Sequence, residues 1–188
     1  LERLRRTREA DLCVAGLSQP RQLGAGLAHL LARIDVPVDP DDLLVGRIRE
    51  EVPCGADEQL FQEVVAGWQG QATPPWMRDG GHECFAWDLL LQHGLSGLQE
   101  RARTEVKRRT RSGEKREVLD FLEGAVQVYA AFRVYARRYA AAAAERGLTA
   151  AAANCAAAAA APPQSFAEAL QLIWLVGHVY CTMVARNP

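Results

Sequence analysis

At 188 residues the chain is long enough for one sizeable domain or a share of a larger one, and its 49% hydrophobic content suits a globular core. Against 23 acidic side chains stand 22 basic ones, a net charge of −1 that excludes both the basic excess of a nucleic-acid binder and the acidic excess of a disordered tail. The five cysteines (Cys13, Cys54, Cys84, Cys155 and Cys181) are widely spaced and form no C-x-x-C pair, which excludes zinc-ribbon and thioredoxin-like readings and leaves free thiols in a reducing, cytoplasmic compartment as the expectation.

The chain begins at Leu1 rather than Met, as expected of a segment trimmed, processed or cut from a longer one. Residues 2–15 are charged and helix-favouring, with no apolar core of a signal peptide. From 20 to 34, Leu23, Leu27, Leu30, Leu31 and Ile34 recur at helical spacing and leave His29 on the opposite, solvated face. DVPVDPDD breaks this pattern with two prolines, and LLVGRI at 43–48 follows as a short strand or extended loop. Residues 57–67 read as a short helix. The stretch 67–81, GWQGQATPPWMRDGG, reads as a loop; Trp68 and Trp76 require it to be ordered over a core, since indoles in water gain nothing.

Helical spacing resumes from Glu83 to His93, and Gly94 is placed to stop that helix. A basic helix runs from Ser96 to Arg111, and RRTRSGEKRE reads as a solvated turn. The longest predicted helix spans 114–146, with Val118, Phe121, Leu122, Ala125, Tyr129, Phe132, Ala136 and Tyr139 stepping by three and four; Arg137 and Arg138 fall on a solvated face. The alanine tract at 150–161 is read as a helix wedged against its neighbours, because alanine combines the best helix propensity with the smallest side chain. Ser165 and Glu168 form an S-x-x-E capping signature for a last helix, apolar on nearly all sides and so expected to be buried, with His178 as a core histidine. The uncharged run 169–185 sits at the lower length limit of a membrane span but holds Gln171 and His178, and a core helix is the preferred reading.

No self-sufficient active site is present. HECFAWD lacks the second histidine of HExxH, and His82 and His93, eleven residues apart on a helix, would lie about 16 Å from one another, too far to share a metal. No metal ligand set and no phosphate-binding glycine loop is found.

Four stretches nevertheless resemble, in order, the N-terminal part of glycyl radical enzymes of the pyruvate formate-lyase-like superfamily. DPDDLLVGRIREEVP at 39–53 is similar to a "D-E-L-I-V-G" segment, and GGHECFAWDLLLQHGLSGL at 80–98 to "G-H-x-x-x-D-Y-x-x-V-L-x-x-G-L-x-G". LDFLEGAVQVYAAFRVYARRYAAAAAE at 119–145 is similar to a long helix ending in "A-x-R-Y-A", and APPQSFAEALQLIWLVGHV at 161–179 to "P-P-x-T-F-x-E-A-L-Q-x-x-W-F-x-H". The resemblance implies a mainly α chain, residues 1–188 without internal boundary, forming the N-terminal helical part of a ten-stranded α/β barrel. It implies radical-mediated cleavage of a small-molecule substrate, of lyase, dehydratase or decarboxylase type. It also implies a glycyl radical installed by a radical-SAM activating enzyme and carried on a part of the family pattern absent here. A homodimer is among the implied partners, with neither nucleic acid nor membrane. The thiyl cysteine context (G-C-x-E) and the radical-glycine motif do not occur in these residues, so the isolated chain is expected to be inactive. A non-catalytic helical scaffold or interaction module derived from the family is the alternative.

Within that resemblance His82 is the catalytic candidate, in the substrate pocket or in proton transfer, and Trp76 the substrate-binding one, as a pocket wall. The bland readings stand beside them: a structural hydrogen bond at a helix start for His82, a packing anchor for Trp76, and a surface or capping contact for Asp88.

Overall fold

The computed structural model describes residues 2–48, 56–68, 74–77 and 85–180. Among them lie seven α-helices and no strand: α1 (Glu2–Val14), α2 (Gln19–Leu31), α3 (Ala56–Gly67), α4 (Trp87–Arg111), α5 (Arg116–Glu145), α6 (Thr149–Ala160) and α7 (Phe166–Val179), with a 3₁₀ turn at Pro75–Met77 between α3 and α4. The helix-rich expectation holds for these residues. LLVGRI is neither helix nor strand: Leu43 and Leu44 lie in a bend and Gly46 has a φ of 127°.

α5 organises the rest. Its 30 residues rise about 45 Å at 1.5 Å each, and α2, α4 and α6 all pack along it. Its buried residues include Leu119, Gly124, Phe132, Tyr135, Ala136, Tyr139 and Ala143, so the helical spacing read from the sequence is present. Phe121 departs from it and is 62% exposed, because it points to the rim of a groove and not into the seam between helices. The α2 crossing is closed by glycines: a Cβ on Gly24 would lie 2.7 Å from the Gly124 carbonyl oxygen, and one on Gly124 would overlap the Pro20 carbonyl. At the α6 crossing alanines meet alanines, with Ala151, Cys155, Ala158 and Ala159 buried. Short side chains let the axes approach, so the low-complexity tract is a packing device, as expected. Burial holds the Cys155 thiol protonated, its pKa pushed up to about 12. Arg133 ties three helices together: Nε donates to the Ala159 carbonyl at 2.8 Å and Nη1 to Gln99 Oε1 at 2.6 Å, while Gln99 donates to the Val126 carbonyl at 3.2 Å.

α4 is two helices meeting at Gly94, whose φ of 61° and ψ of 175° are not helical. Gly94 does interrupt the helix, but the next one starts at once, and the first begins at Trp87 with Phe85 and Ala86 outside it. α7 corrects an expectation. Gln171, Leu172, Leu175, Val176 and Val179 are buried, but Phe166, Leu170 and Trp174, spaced four apart, are 81%, 38% and 40% exposed. The helix is apolar on two faces and α4, α5 and α6 cover only one. Its N-terminus is capped as the sequence predicts: the Glu168 N–H donates to Ser165 Oγ at 3.2 Å, and the Glu168 carboxylate accepts from the Gln164 N–H at 2.7 Å. Among the described residues no helix is long and apolar enough to cross a membrane.

Candidate functional site: an apolar groove and its anchors

Of the stretch predicted to lie as a loop over a core, the described residues include both tryptophans, and these meet one carboxylate. Trp68, at the end of α3, and Trp76, on the 3₁₀ turn, are 4% and 3% exposed. Both indole N–H groups donate to Asp11 on α1, Trp68 to Oδ2 at 3.2 Å and Trp76 to Oδ1 at 3.0 Å. The Trp76 ring lies on Gly26 of α2, where any Cβ would overlap it. Two indoles from positions eight apart are thus drawn onto α1 and α2, which seats Trp76 and Met77 on one wall of a groove.

The groove has a volume of about 600 Å³ and runs between α2, the 3₁₀ turn, α4, α5 and the end of α7. Its lining is largely apolar, including Leu27, Met77, Leu90, Leu95, Phe132 and Val176, with Phe121 and Leu89 at the rim. Phe85 forms part of it, its ring 4.5 Å and edge-on to Tyr180 and 4.7 Å from Trp87. Polar groups are few. The Tyr129 phenol, held above its ordinary pKa by burial, stays neutral and can donate one hydrogen bond. Such a surface can exclude water and seat an apolar body. Among the described residues it offers neither carboxylate nor thiol nor imidazole for acid–base work, and no group of three or more metal-ligating side chains occurs among them.

The structure places the sequence candidates unevenly. Trp76 lines the groove and is also a packing anchor, so both readings of it find a physical counterpart. His82 lies outside the described residues, three positions before Phe85. Asp88 is exposed on the first turn of α4. His93 meets Arg101 at 2.5 Å across the Gly94 kink. His178 stacks on Trp174, ring centroids 5.4 Å apart. Two residues expected to be solvated are not. His29 is only 17% exposed in the α1–α2 seam, because α1 covers the face of α2 that the leucine pattern leaves free. Arg138 donates to the Leu31 carbonyl at 2.8 Å, where a cation meets the negative end of α2.

A second set of anchors was not legible beforehand. Gln171, fully buried on α7, pairs with the backbone of Val45 in both directions: its Nε2 donates to the Val45 carbonyl at 2.6 Å and its Oε1 accepts from the Val45 N–H at 3.2 Å. The side-chain amide satisfies both backbone groups of Val45 as a neighbouring strand would, which holds this irregular stretch in place without one. Tyr135 donates to the Gly46 carbonyl at 3.1 Å and Tyr139 to the Arg47 carbonyl. Burial pushes both phenols up, Tyr139 to about 12, so they remain donors. A glutamine interrupting an otherwise apolar helix is the one signal the sequence carried for this clamp.

Comparison with known proteins gives this geometry a context. A family model described as pyruvate formate lyase-like matches residues 58–187. Among solved structures, the chain is similar to a glycyl radical enzyme from Archaeoglobus fulgidus, with a TM-score of 0.74 and 20% identity over 94% of this chain and 31% of that one. It is similar to the B12-independent glycerol dehydratase from Clostridium butyricum, in its glycerol-bound form, with a TM-score of 0.78 and 17% identity over 95% of this chain and 31% of that one. A structure concerned with 1,2-propanediol dehydration in Roseburia inulinivorans gives a TM-score of 0.74 and 18% identity over 95% of this chain and 29% of that one. The chain spans about three-tenths of the length of these structures. The comparison with curated proteins returns no match.

Proposed function

Because the chain belongs to the pyruvate formate lyase-like family, we propose that it is the N-terminal helical portion of a glycyl radical enzyme that cleaves a bond in a small-molecule substrate, with dehydration as the reaction type. The observation that carries this reading is the family match over 58–187, joined to a fold shared with glycyl radical enzymes along 94–95% of the chain. Two of the similar structures are named for dehydrations of glycerol and 1,2-propanediol, which supports a vicinal diol as substrate class. In this reading the helices wrap a barrel supplied by the remainder of the enzyme, in the cytoplasm. A glycyl radical, installed by a radical-SAM activating enzyme, supplies the hydrogen-abstracting chemistry from outside these residues.

What this segment contributes is shape and positioning. The apolar groove, with Trp76 on its wall, excludes water and seats an apolar body. His82 serves proton transfer to a leaving hydroxyl, a task suited to an imidazole whose ordinary pKa is about 6.5. The clamp of Gln171, Tyr135 and Tyr139 fixes 43–48 against α5 and α7.

The test is anaerobic activation of the full-length gene product with a radical-SAM activase, followed by electron paramagnetic resonance and turnover of glycerol and 1,2-propanediol. A glycyl radical signal with diol-dependent aldehyde formation is expected. A radical without diol turnover would overturn dehydration as the reaction type. Absence of any radical would overturn the enzyme reading and leave a helical scaffold derived from the family. His82→Ala in the activated enzyme should lower kcat while the radical signal persists; unchanged turnover would return His82 to a structural role.

A further inference from the structure

We infer that Cys13 is a nucleophilic modification site, activated by His29 and Glu9, that reacts with small soft electrophiles. The inference does not depend on the radical chemistry. Three side chains from α1 and α2 stand in line: Cys13 Sγ lies 3.6 Å from His29 Nδ1, and His29 Nε2 lies 3.5 Å from Glu9 Oε2. Cys13 and Glu9 occupy successive turns of one helix face, and His29 reaches across from α2 between them. Each member has the environment its role needs. Cys13 is exposed, so an electrophile can reach the sulfur. His29 is held in the seam with 17% exposure, so its ring is not free to swing into solvent. Glu9 is fixed in turn by Arg6, whose Nη1 donates to Oε2 at 3.0 Å, and it stays ionised because hydrogen bonding to Arg6 lowers its pKa.

The order of the contacts sets the direction of the proton. Glu9 stands at ion-pair distance from Nε2 without a hydrogen bond to it, and its negative charge favours a proton on that nitrogen, which leaves the Nδ1 lone pair to accept from the thiol. As the sulfur attacks, its proton passes to Nδ1 and the imidazolium that forms is stabilised by Glu9. This is the arrangement of nucleophile, base and orienting carboxylate by which weak nucleophiles are activated. With iodoacetamide the S–C bond forms, the C–I bond breaks, iodide leaves with the electron pair, and His29 carries the proton until solvent removes it. Cys155, buried in the α5–α6 seam with its thiol held protonated, is the built-in contrast.

The test is timed alkylation of the native chain by iodoacetamide at neutral pH, with each cysteine-containing peptide quantified by mass spectrometry. Cys13 should label well ahead of Cys155. His29→Gln should slow Cys13 labelling by about tenfold or more, less than the roughly 10²–10⁴ of a fully positioned general base because the Sγ–Nδ1 contact is long at 3.6 Å, and Glu9→Gln should slow it by a smaller factor with His29 still in place. Cys155 labelling in each variant serves as the folding control, because a variant that has lost its fold exposes that thiol. Cys13 labelling at the wild-type rate in both variants while Cys155 stays protected, or no native labelling of Cys13, would overturn the inference.

Discussion

Asp11 holds two buried indoles with one carboxylate, and its removal should be felt at both ends of the 68–76 stretch. The N–H···O distances are 3.2 and 3.0 Å, and the two rings are 4% and 3% exposed. Hydrogen bonds to a charged acceptor contribute about 1.5–3 kcal/mol each, and a buried donor left unpaired incurs its desolvation cost in full. Asp11→Ala therefore loses about 3–6 kcal/mol if neither indole finds water. Because Asp11 is only half-buried, water can reach part of the site, and about 2–4 kcal/mol is the expected loss. For a chain of this size each kcal/mol moves Tm by about 2–4 °C, so the melt should fall by about 4–16 °C. Asp11→Asn separates the two bonds: its amide oxygen accepts from one indole while its NH₂ faces the other donor, so the variant should fall between wild type and alanine. Thermal unfolding followed by circular dichroism and tryptophan fluorescence reads both. A Tm within about 2 °C of wild type for Asp11→Ala would refute the reasoning, since it would mean that the indole bonds contribute less than about 1 kcal/mol together.

Gln171→Leu keeps the volume but leaves the Val45 N–H and C=O buried and unpaired, at about 1–3 kcal/mol each; proteolysis near 43–48 should accelerate and Tm should fall, and unchanged protease resistance would contradict the clamp. Gly94→Ala forces a Cβ to within 2.8 Å of the Ala161 carbonyl oxygen at a φ of 61°, a backbone region nearly exclusive to glycine; a loss of about 2 kcal/mol or more is expected in denaturant titration, and a neutral result would contradict the kink. Asp120 is held below the usual carboxylate range by the Ser18 hydroxyl and by Arg116 and Arg21. Its contribution is present above the unfolded carboxylate pKa and lost as pH falls toward the folded value, so Tm of the wild type should decline below about pH 4. Asp120→Asn should flatten that decline, and an unaltered Tm–pH curve would contradict the assignment.

Much of the helix layout was legible because apolar spacing, glycine stops and the Ser165 cap are local signals. α2, α5, α6 and the start of α7 fall where spacing and punctuation place them. What the pattern cannot carry is which element covers which face. His29 and Arg138 look solvated on their own helices and become partly buried only because α1 and α2 lie against them. α7 looks fully buried from its own composition, yet the described helices cover one side of it. The anchors of the groove failed to show for the same reason: Asp11 sits in a charged stretch that reads as solvated, and its partners lie 57 and 65 positions away. A side chain's chemistry is written in its own letter, whereas its partners are fixed by the fold.

The pairing of Gln171 with Val45 joins positions 126 apart in the chain. A ribosome adding about 5–20 residues per second needs on the order of 6–25 s to pass from one to the other. During that interval α1 and α2 can pair as a local hairpin, but LLVGRI has neither its amide partner on α7 nor the tyrosines of a docked α5. This segment is therefore among the last parts of this region to settle. Until α7 emerges, its unpaired backbone and apolar side chains are an opening for chaperones or for misassociation with another nascent chain.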